Sequence, residues 1–393
     1  MPRPPIRFED ISVVVQGPWK PDLTPPAMDS LRRLMPGAEV IVSTWKGTDP
    51  ALFGDGVARV LLNDDPGPID HRRFADPVFA KDFHTQNNVN RQIVSAHAGA
   101  RAATRPYCLK MRTDTVIHAL NFLDHFAAYP ARAAGHRLLC ERLVVTNAFS
   151  PRRGVCFAVG DHFQFGLTED VRTVWDIPLS PGDAELAALP EEERNAVYTL
   201  PERYITQAFV RKFLDLPALH HGERPDALVE LAERVIADNF VCLDYYDYGI
   251  KLESWNEGLS TEEASRREKV WRMFTISGIY TCLFAEWLHW YERWCGGSAA
   301  DAPGGLGEVC APGREDVRVA DAITRTDTDD YMRAPHTPML LCRIDLEAGI
   351  GEIGRLARAG DLERARRLIT LLLEYDPANR DRLIARGIMR PGR

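Results

Sequence analysis

Two cations and an acid lie close together in residues 109–114, which read Leu-Lys-Met-Arg-Thr-Asp. Lys110 and Arg112 stand at alternate positions of a predicted strand, so their side chains point the same way. Such cations can neutralise a phosphate group, and Asp114 can ligate a divalent cation such as Mg²⁺ or Mn²⁺. The pattern predicts an anion-binding site. The alternative is a structural Arg112–Asp114 ion pair that closes the strand.

Two further carboxylates are candidates for a general base, which accepts a hydroxyl proton. Glu202 lies in the first turn of a helix predicted over residues 201–212. Asp161 lies in the aromatic segment 160–166, predicted to be a loop after a strand at 155–159. Each acid also has a structural interpretation. An acid is favoured in the first turn of any helix, and the loop can be an ordinary turn over buried phenylalanines.

The elements that must position these residues alternate between strand-like and helix-like segments, which predicts an α/β fold with a parallel sheet covered by helices. Strands are predicted at residues 11–16, 39–44, 57–62 and 107–111, and helices at 28–35 and 86–103. Open sheets of this kind bind ligands at the carboxyl ends of their strands. We therefore expect one crevice, lined by the residues at those ends: Gln16, Ser43, Trp45, Asp64, Asp65 and Asp114.

Some acids are better explained without chemistry. Asp64 and Asp65 belong to Asn-Asp-Asp-Pro-Gly, a strong turn signal, so a turn is favoured over a ligand site. Glu169 and Asp170 are expected to lie in solvent.

Composition excludes several classes of protein. The 393 residues carry a formal net charge of -8, whereas dedicated nucleic-acid binders have a basic footprint, so we expect no nucleic-acid partner. The amino-terminal segment lacks the apolar run of a signal peptide, and no stretch reaches the roughly 18 to 20 apolar residues of a membrane span. The eight cysteines include no Cys-x-x-Cys pair. A cytoplasmic protein with reduced thiols is expected, and any contact with the inner membrane would be peripheral.

The α/β domain is predicted to cover residues 8–295. A stretch rich in Gly, Ala and Pro then marks a linker at 296–335. Residues 336–393 are predicted to be a helical tail, in which helices at 346–359 and 362–375 form a hairpin similar to one tetratricopeptide unit. Such a hairpin could bind a protein partner.

An aromatic stripe precedes the linker. Its members recur at steps of three and four residues, on one face of a predicted helix: Ile276, Tyr280, Leu283, Trp287, Trp290 and Trp294. Such a stripe is usually part of the core. The alternative is an interfacial helix on a membrane surface.

Six segments together resemble the WavE family of lipopolysaccharide-synthesis proteins. They are residues 11–18 (Ile-Ser-Val-Val-Val-Gln-Gly-Pro), 36–45 (Pro-Gly-Ala-Glu-Val-Ile-Val-Ser-Thr-Trp), 90–94 (Asn-Arg-Gln-Ile-Val), 109–114 (Leu-Lys-Met-Arg-Thr-Asp), 201–204 (Pro-Glu-Arg-Tyr) and 238–241 (Asp-Asn-Phe-Val). The family is associated with synthesis of the lipopolysaccharide core and is glycosyltransferase-like. The resemblance therefore implies an enzyme of that kind.

The order of elements is also similar to the GT-A fold of glycosyltransferases, a Rossmann-type sheet with helices on both faces. In that fold a helix with an Asn and a later Gly-x-x-x-Ala precedes a strand that ends in Asp-x-Asp. Asn90, Gly99, Ala103 and Asp114 take those places here, whereas Arg112 stands where the first Asp is expected. Because of this departure, we expect only a weak dependence on Mg²⁺ or Mn²⁺.

The resemblance implies transfer of a sugar from a nucleotide-sugar donor to a hydroxyl of the lipopolysaccharide core, a related surface glycan or a lipid-linked glycan. It implies Glu202 as the base. From its own residues, the loop with Asp161 offers a rival base, and its rings at His162, Phe163 and Phe165 offer an acceptor contact by stacking on sugar rings. The implied donor contacts, several of them at the diphosphate, are Gln16, Ser43, Trp45, Arg91, Lys110, Arg112 and Asp114.

Two other functions stay open at this point. A sugar nucleotidyltransferase can share the alternating sheet, but no Gly-rich phosphate loop with a lysine follows the first strand. A transferase-derived binding or scaffold protein of glycan assembly is the second, because Arg112 replaces an acid and the tail could recruit other proteins.

Overall fold

The computed structural model describes residues 5–70, 86–133, 135–146, 156–190, 201–217, 219, 226–243, 250–252, 284–303 and 379–389, with scattered positions between 353 and 373. The chain divides into two compact units. The first holds Met1–Phe74, Gln86–Glu257 and Thr281–Ala311, and the second holds Ala75–Thr85, Gly258–Tyr280 and Pro312–Arg393. In the second unit a helix is described at Asn379–Ala385. The predicted hairpin at 346–359 and 362–375 lies outside the described residues, apart from the scattered positions, and the predicted domain bounds stay a prediction.

The first unit alternates strands and helices. Its strands are β1 (Ile11–Gln16), β2 (Glu39–Trp45), β3 (Val57–Asn63), β4 (Ile69–Asp70), β5 (Gln86–Asn87), β6 (Tyr107–Arg112), β7 (Thr115–Ile117), β8 (Leu143–Thr146), β9 (Phe163–Leu167), β10 (Phe240–Leu243) and β11 (Ile250–Leu252). Its helices are α1 (Thr24–Leu34), α2 (Val89–Ala102), α3 (Phe122–Phe126), α4 (Thr168–Trp175), α5 (Asp183–Ala188), α6 (Pro201–Val210), α7 (Asp226–Asn239) and α8 (Phe284–Trp290), the last continued by a π-helical turn, Tyr291–Cys295. Within the described part of the chain, no helix is long and apolar enough to cross a membrane.

The central sheet has seven strands among the described residues, in the order β10-β8-β9-β6-β1-β2-β3. The pairs β1–β2, β2–β3, β1–β6 and β8–β10 are parallel, whereas β9 runs antiparallel to both of its neighbours, β6 and β8. Two short antiparallel pairs, β4–β5 and β7–β11, lie outside this sheet. The predicted α/β class is confirmed, with a mostly parallel sheet.

The predicted elements of the first third are confirmed, with shifts at their ends. Strand β1 has its predicted bounds, while β2, β3 and β6 each extend one residue further. Helix α1 begins at Thr24 rather than at residue 28, because proline is tolerated in the first turn of a helix. Helix α2 begins at Val89 rather than at residue 86. At this start, Val89 N donates a hydrogen bond to Asn87 Oδ1 at 2.9 Å.

The predicted strand at 155–159 is wrong over its described residues, and the predicted loop at 160–166 is wrong from Phe163 onward. Residues 156–159 form no strand, and the aromatic segment contains β9 instead. Phe163 and Phe165 alternate as in a strand, and both are fully buried. Their ring centroids lie 5.2 and 5.0 Å from that of Phe122 on α3. These two rings therefore belong to the core and cannot stack on a ligand.

Buried acids hold loops against the sheet. Asp170, predicted to lie in solvent, is buried, because its carboxylate accepts hydrogen bonds from the backbone N–H groups of Cys140 and Glu141, each at 2.8 Å. Asp238, before β10, is fully buried and accepts a hydrogen bond from Arg132 Nε at 2.9 Å. The prediction for Asp170 is thus wrong, and both acids have a structural role.

The aromatic stripe is part of the core where it is described. Trp287 and Trp290 are buried, and Trp287 stacks on Tyr291 with ring centroids 5.4 Å apart. Trp294 is half-buried. The other members lie outside the described residues: Ile276, Tyr280 and Leu283.

We expect Gly99→Ala to destabilise the protein. The added Cβ on α2 would lie 2.2 Å from Val14 Cγ1 on β1, so strand or helix must shift, which costs about 1–3 kcal/mol. Alanine by itself favours a helix by roughly 1 kcal/mol, so the sign of the change tests the packing. Urea unfolding measures it, with Ala98→Gly on the half-buried side of α2 as the control for helix propensity. A more stable Gly99→Ala variant would contradict the close contact.

Candidate active site

Parallel pairing brings the ends of β1, β2 and β6 to one edge of the sheet. Gln16 lies opposite both Ser43 and Arg112 in the strand register. The pairing continues past the strands, because Gly17 N donates to Ser43 O and Thr113 N donates to Gln16 O, each at 3.0 Å. These strand ends are adjacent at the edge of the sheet where the crevice is predicted.

Gln16 and Ser43 are buried and bonded within the protein. Gln16 Oε1 accepts a hydrogen bond from Ser95 Oγ at 2.5 Å, which joins β1 to α2. Ser43 Oγ accepts one from Asn63 Nδ2 at 2.9 Å, which joins β2 to β3. Trp45, at the end of β2, is half-buried. The donor contacts predicted for these three residues stay predictions.

Arg91 is bonded to Asp65 rather than to the strand ends. Its Nε and Nη2 donate to the two carboxylate oxygens at 2.7 and 2.6 Å, and its Nη1 donates to Asn88 Oδ1 at 3.0 Å. These hydrogen bonds raise the pKa of Arg91 and lower the pKa of Asp65. Asp64 forms an exposed ion pair with Lys46, at 2.7 Å. The acidic pair is thus used locally, and the predicted donor contact of Arg91 stays a prediction.

Asp114 is held by two cations just after β6. Arg112 donates to both carboxylate oxygens, from Nε at 2.9 Å and from Nη2 at 2.7 Å, and Lys20 Nζ lies 3.9 Å from Oδ2. The Asp114 side chain is buried, whereas those of Arg112 and Lys20 keep 27% and 28% of their surface exposed. Burial opposes the charge of Arg112, but the attraction of the Asp114, Asp161 and Glu202 carboxylates together outweighs burial and raises the pKa of Arg112. The Arg112–Asp114 ion pair is present, and the exposed groups of this trio are cationic.

Asp114 does not fit the predicted role of metal ligand. Both of its oxygens accept hydrogen bonds from Arg112, and Lys20 stands beside them. Two fixed positive charges at this range repel a divalent cation. The arrangement suits an anion held by Arg112 and Lys20.

Lys110 lies beneath the crevice. It is fully buried, its Nζ donates to the Asp161 carbonyl oxygen, and Nζ lies 4.5 Å from the centroid of the Trp175 ring. Trp175 is held by a hydrogen bond from Nε1 to Gln164 Oε1 at 2.8 Å. Burial lowers the pKa of Lys110 to about 8, against the attraction of the Asp161 carboxylate. Lys110 therefore anchors the segment that leads into β9.

The two candidate bases meet at one imidazole. Carboxylate oxygens of Asp161 and Glu202 and a ring nitrogen of His162 lie within 4.8 Å of one another, and all three side chains are buried. His162 Nε2 lies 3.4 Å from Asp161 Oδ1, 3.9 Å from Glu202 Oε1 and 3.5 Å from Arg112 Nη1. Both oxygens of Asp161 and Oε2 of Glu202 have no hydrogen-bond partner among the described residues. We name Asp161, His162 and Glu202 the acid–imidazole cluster.

Burial controls the protonation of this cluster. It raises the pKa of Glu202 well above its ordinary value, and the neighbouring Asp161 carboxylate adds to the shift. It lowers the pKa of His162 to about 4, so the imidazole is neutral at pH 7. A neutral imidazole can accept a proton or ligate a metal, and a carboxylate with a raised pKa suits a general base.

Two elements bring the cluster together. Strand β9 starts opposite the end of β6, with Phe163 paired to Met111, so the residues before β9 lie at the edge of the crevice. Helix α6 carries Glu202 in its first turn. One turn on, Thr206 Oγ1 donates to Glu202 O at 2.7 Å and accepts from Val159 N at 3.0 Å. That contact fixes α6 against the segment before β9.

Lys20 is a site residue that the sequence patterns did not indicate. It follows a turn in which Gly17 has a φ of 125° and Thr113 Oγ1 donates to Pro18 O at 2.8 Å. The turn rests on Thr113, next to Asp114, and so brings Lys20 to the acid. The signal that could have revealed it is a cation two residues after a Gly-Pro turn at the end of a strand.

The structure defines an α/β protein in which cations with partly exposed side chains lie beside buried acids, at the carboxyl edge of parallel strands. The WavE lipopolysaccharide synthesis family matches residues 11–302, and the chain belongs to this family. The protein therefore has a role in lipopolysaccharide synthesis. The match spans every described strand and all of the residues of the site. The comparison with curated proteins returned no match.

We expect Asp114→Asn to lower the free energy of unfolding by about 1–3 kcal/mol, because the amide keeps the shape but leaves Arg112 without its counter-ion. Urea unfolding measures the change. Asp64→Asn is the matched control, since it removes one carboxylate from an exposed pair with Lys46 and should leave the midpoint unchanged. Equal stability of Asp114→Asn and the wild type would show that the Arg112–Asp114 pair does not support the fold.

Proposed function

We propose that the protein is a glycosyltransferase of the GT-A type, which transfers a sugar from a nucleotide-sugar donor to the lipopolysaccharide core or a related surface glycan. The observation that carries the proposal is the sheet edge at which Arg112 and Lys20 stand beside the acid–imidazole cluster. Transfer needs positive charge for the departing diphosphate and a base for the acceptor hydroxyl. Membership of the WavE family supports a role in lipopolysaccharide synthesis.

The order of elements supports the GT-A part of the proposal. Strand β1, helix α1, strand β2, helix α2 and strand β6 occur in this order, with β3, β4 and β5 between β2 and α2, and Asp114 comes two residues after β6. Asn90 in α2 exchanges two hydrogen bonds with the backbone of Ser180, at 2.8 and 2.7 Å. Gly99, nearer the carboxyl end of the same helix, allows α2 to pack closely on β1. Both residues thus position the helix that covers the sheet behind the site.

In the proposed complex the donor diphosphate lies against the exposed parts of Arg112 and Lys20. Asp114 orients the guanidinium of Arg112 through two hydrogen bonds. These fixed charges replace a metal ion in neutralising the leaving group, so the reaction depends only weakly on Mg²⁺ or Mn²⁺. Trp45, half-buried at the end of β2, is the proposed contact of the nucleobase.

Glu202 is the proposed base. Its side chain is slightly more accessible than that of Asp161, at 5% against 0% of the residue exposed, and its Oε2 has no hydrogen-bond partner among the described residues. In the proposed step the acceptor oxygen attacks the anomeric carbon, the bond from that carbon to the diphosphate oxygen breaks, and the hydroxyl proton passes to Glu202. Asp161 lies beside Glu202 in the acid–imidazole cluster.

Calorimetry with a panel of UDP-, GDP- and CMP-sugars tests the function. We expect the protein to bind sugars of one nucleotide class in the presence of EDTA, with affinity at most a few-fold below that in Mn²⁺, because Arg112 and Lys20 carry the diphosphate. Arg112→Gln should weaken that binding at least tenfold. Silence across the panel, with or without Mn²⁺, would instead favour a scaffold protein of glycan assembly. Binding only in Mn²⁺ would contradict the metal-independent diphosphate site.

Glu202→Gln should lower turnover by roughly 10² to 10⁴ and leave donor affinity unchanged, since the amide keeps the shape but cannot accept a proton. Glu169→Gln, at an exposed carboxylate in the first turn of α4, is the matched control and should behave as the wild type. Steady-state rates and donor titrations provide the two readouts. A loss of donor affinity with unchanged turnover would assign Glu202 to binding.

A further inference from the structure

The acid–imidazole cluster contains buried acceptors that the described part of the chain does not satisfy. Asp161 is fully buried and Glu202 is nearly so, yet three of their four carboxylate oxygens have no hydrogen-bond partner among the described residues. A buried carboxylate oxygen without a donor costs free energy, so such an atom in a native protein requires a proton, a water molecule or an ion. Because the Asp161 and Glu202 carboxylates lie close together, one proton, water molecule or ion can serve both.

The geometry of the cluster suits a metal ion. One atom from each residue lies within 4.8 Å of the other two, and His162 Nε2 is 3.4 Å from Asp161 Oδ1 and 3.9 Å from Glu202 Oε1. Ligand atoms that share a tetrahedral metal at about 2.0–2.2 Å lie roughly 3.3–3.6 Å apart. Small side-chain movements therefore suffice to close the three ligands on one ion.

The surrounding charges permit a cation here, in contrast to Asp114. Arg112 Nη1 lies 3.5 Å from His162 Nε2, but the Asp114 carboxylate offsets the charge of this guanidinium through two hydrogen bonds. The ammonium of Lys110 bonds to the backbone carbonyl of Asp161 and not to its carboxylate. When both acids are ionised, their two carboxylates and the Lys110 ammonium together carry one net negative charge. The carboxylate oxygens can still bind an ion.

We propose that Asp161, His162 and Glu202 bind one divalent cation of the zinc class, through one oxygen of each carboxylate and Nε2 of the imidazole. Three protein ligands of mixed nitrogen and oxygen type, with a fourth position open, are typical of zinc. An imidazole in the set disfavours Mg²⁺, so affinity should fall in the order Zn²⁺, Mn²⁺, Mg²⁺.

Occupation of this site has a consequence for transfer, which rests on the proposed function. A Glu202 carboxylate that ligates a cation cannot accept the acceptor proton. The bound cation therefore inhibits the reaction, and a chelator that removes the cation relieves this inhibition.

Binding is tested on the full chain, stripped of metal with EDTA and dialysed, by calorimetry with ZnCl₂ and by elemental analysis after gel filtration. We expect the wild type to bind one more equivalent of Zn²⁺ than either Asp161→Asn or His162→Gln. The matched control is His97→Gln, a half-buried histidine with Asp176 Oδ1 at 3.7 Å from Nδ1, which should keep the full stoichiometry. The same Zn²⁺ content in the wild type, Asp161→Asn and His162→Gln overturns the proposal.

Thermal melting separates loss of the site from loss of the fold. In EDTA, Asp161→Asn should melt at or above the wild-type Tm, because it removes a buried carboxylate that has no hydrogen-bond partner among the described residues. Added Zn²⁺ should raise the Tm of the wild type by several degrees and leave that of Asp161→Asn unchanged, since an ion stabilises the state that binds it. Equal responses of the two proteins to Zn²⁺ overturn the proposal.

Transfer is measured separately, so that each proposal can fail alone. Inhibition by Zn²⁺ that EDTA reverses, at the concentrations at which the extra equivalent binds, supports the site and the role of Glu202 together. Binding without inhibition keeps the metal site and overturns Glu202 as the base. Activity that requires Zn²⁺ overturns the inhibitory role.

Discussion

Strand β9 runs against its neighbours, and its first residue, Phe163, pairs with Met111 near the end of β6. In a parallel arrangement the last residue of β9 would lie at this edge, and Asp161 and His162 would lie at the opposite end of the sheet. The reversal brings them beside Arg112, which belongs to a strand far earlier in the chain. The position of the acid–imidazole cluster therefore depends on the direction of this single strand.

That reversal is supported by packing as well as by the hydrogen bond from Lys110 to the Asp161 carbonyl oxygen. Phe165 and Phe163 on β9 both contact Phe122 on α3. Gly166 permits the close approach of β8, because a Cβ at this position would lie 2.4 Å from Leu143 Cδ2. Gly99 does the same for α2 on β1. Glycine at these two contacts allows β9 to pack closely on β8 and α2 to pack closely on β1.

Charge is distributed between two neighbouring environments. At the edge of the sheet, the Asp114 carboxylate offsets only one of the two positive charges of Arg112 and Lys20, whose side chains are partly exposed, and the remaining positive charge favours an anion. Behind them, Asp161 and Glu202 are buried beside a neutral imidazole, which favours a proton or a metal ion. The segments that resemble the WavE family contain residues of both environments, such as Arg112 and Glu202. They also contain residues such as Asp238, whose hydrogen bond to Arg132 supports a loop of the protein. A shared motif therefore does not by itself separate chemistry from support.

The sequence by itself determined the first strands of the sheet, the class of the fold and the family, because a buried parallel strand is a continuous apolar run whose ends carry polar residues. It also indicated Arg112, Asp114, Asp161 and Glu202 as separate candidates. Only the tertiary structure decided that β9 is a strand, that Arg112 occupies both oxygens of Asp114, and that Asp161 and Glu202 meet at His162. Local periodicity reports which residues are buried, but the partner of a buried charge is set by strand direction and helix docking between segments that are distant in the chain.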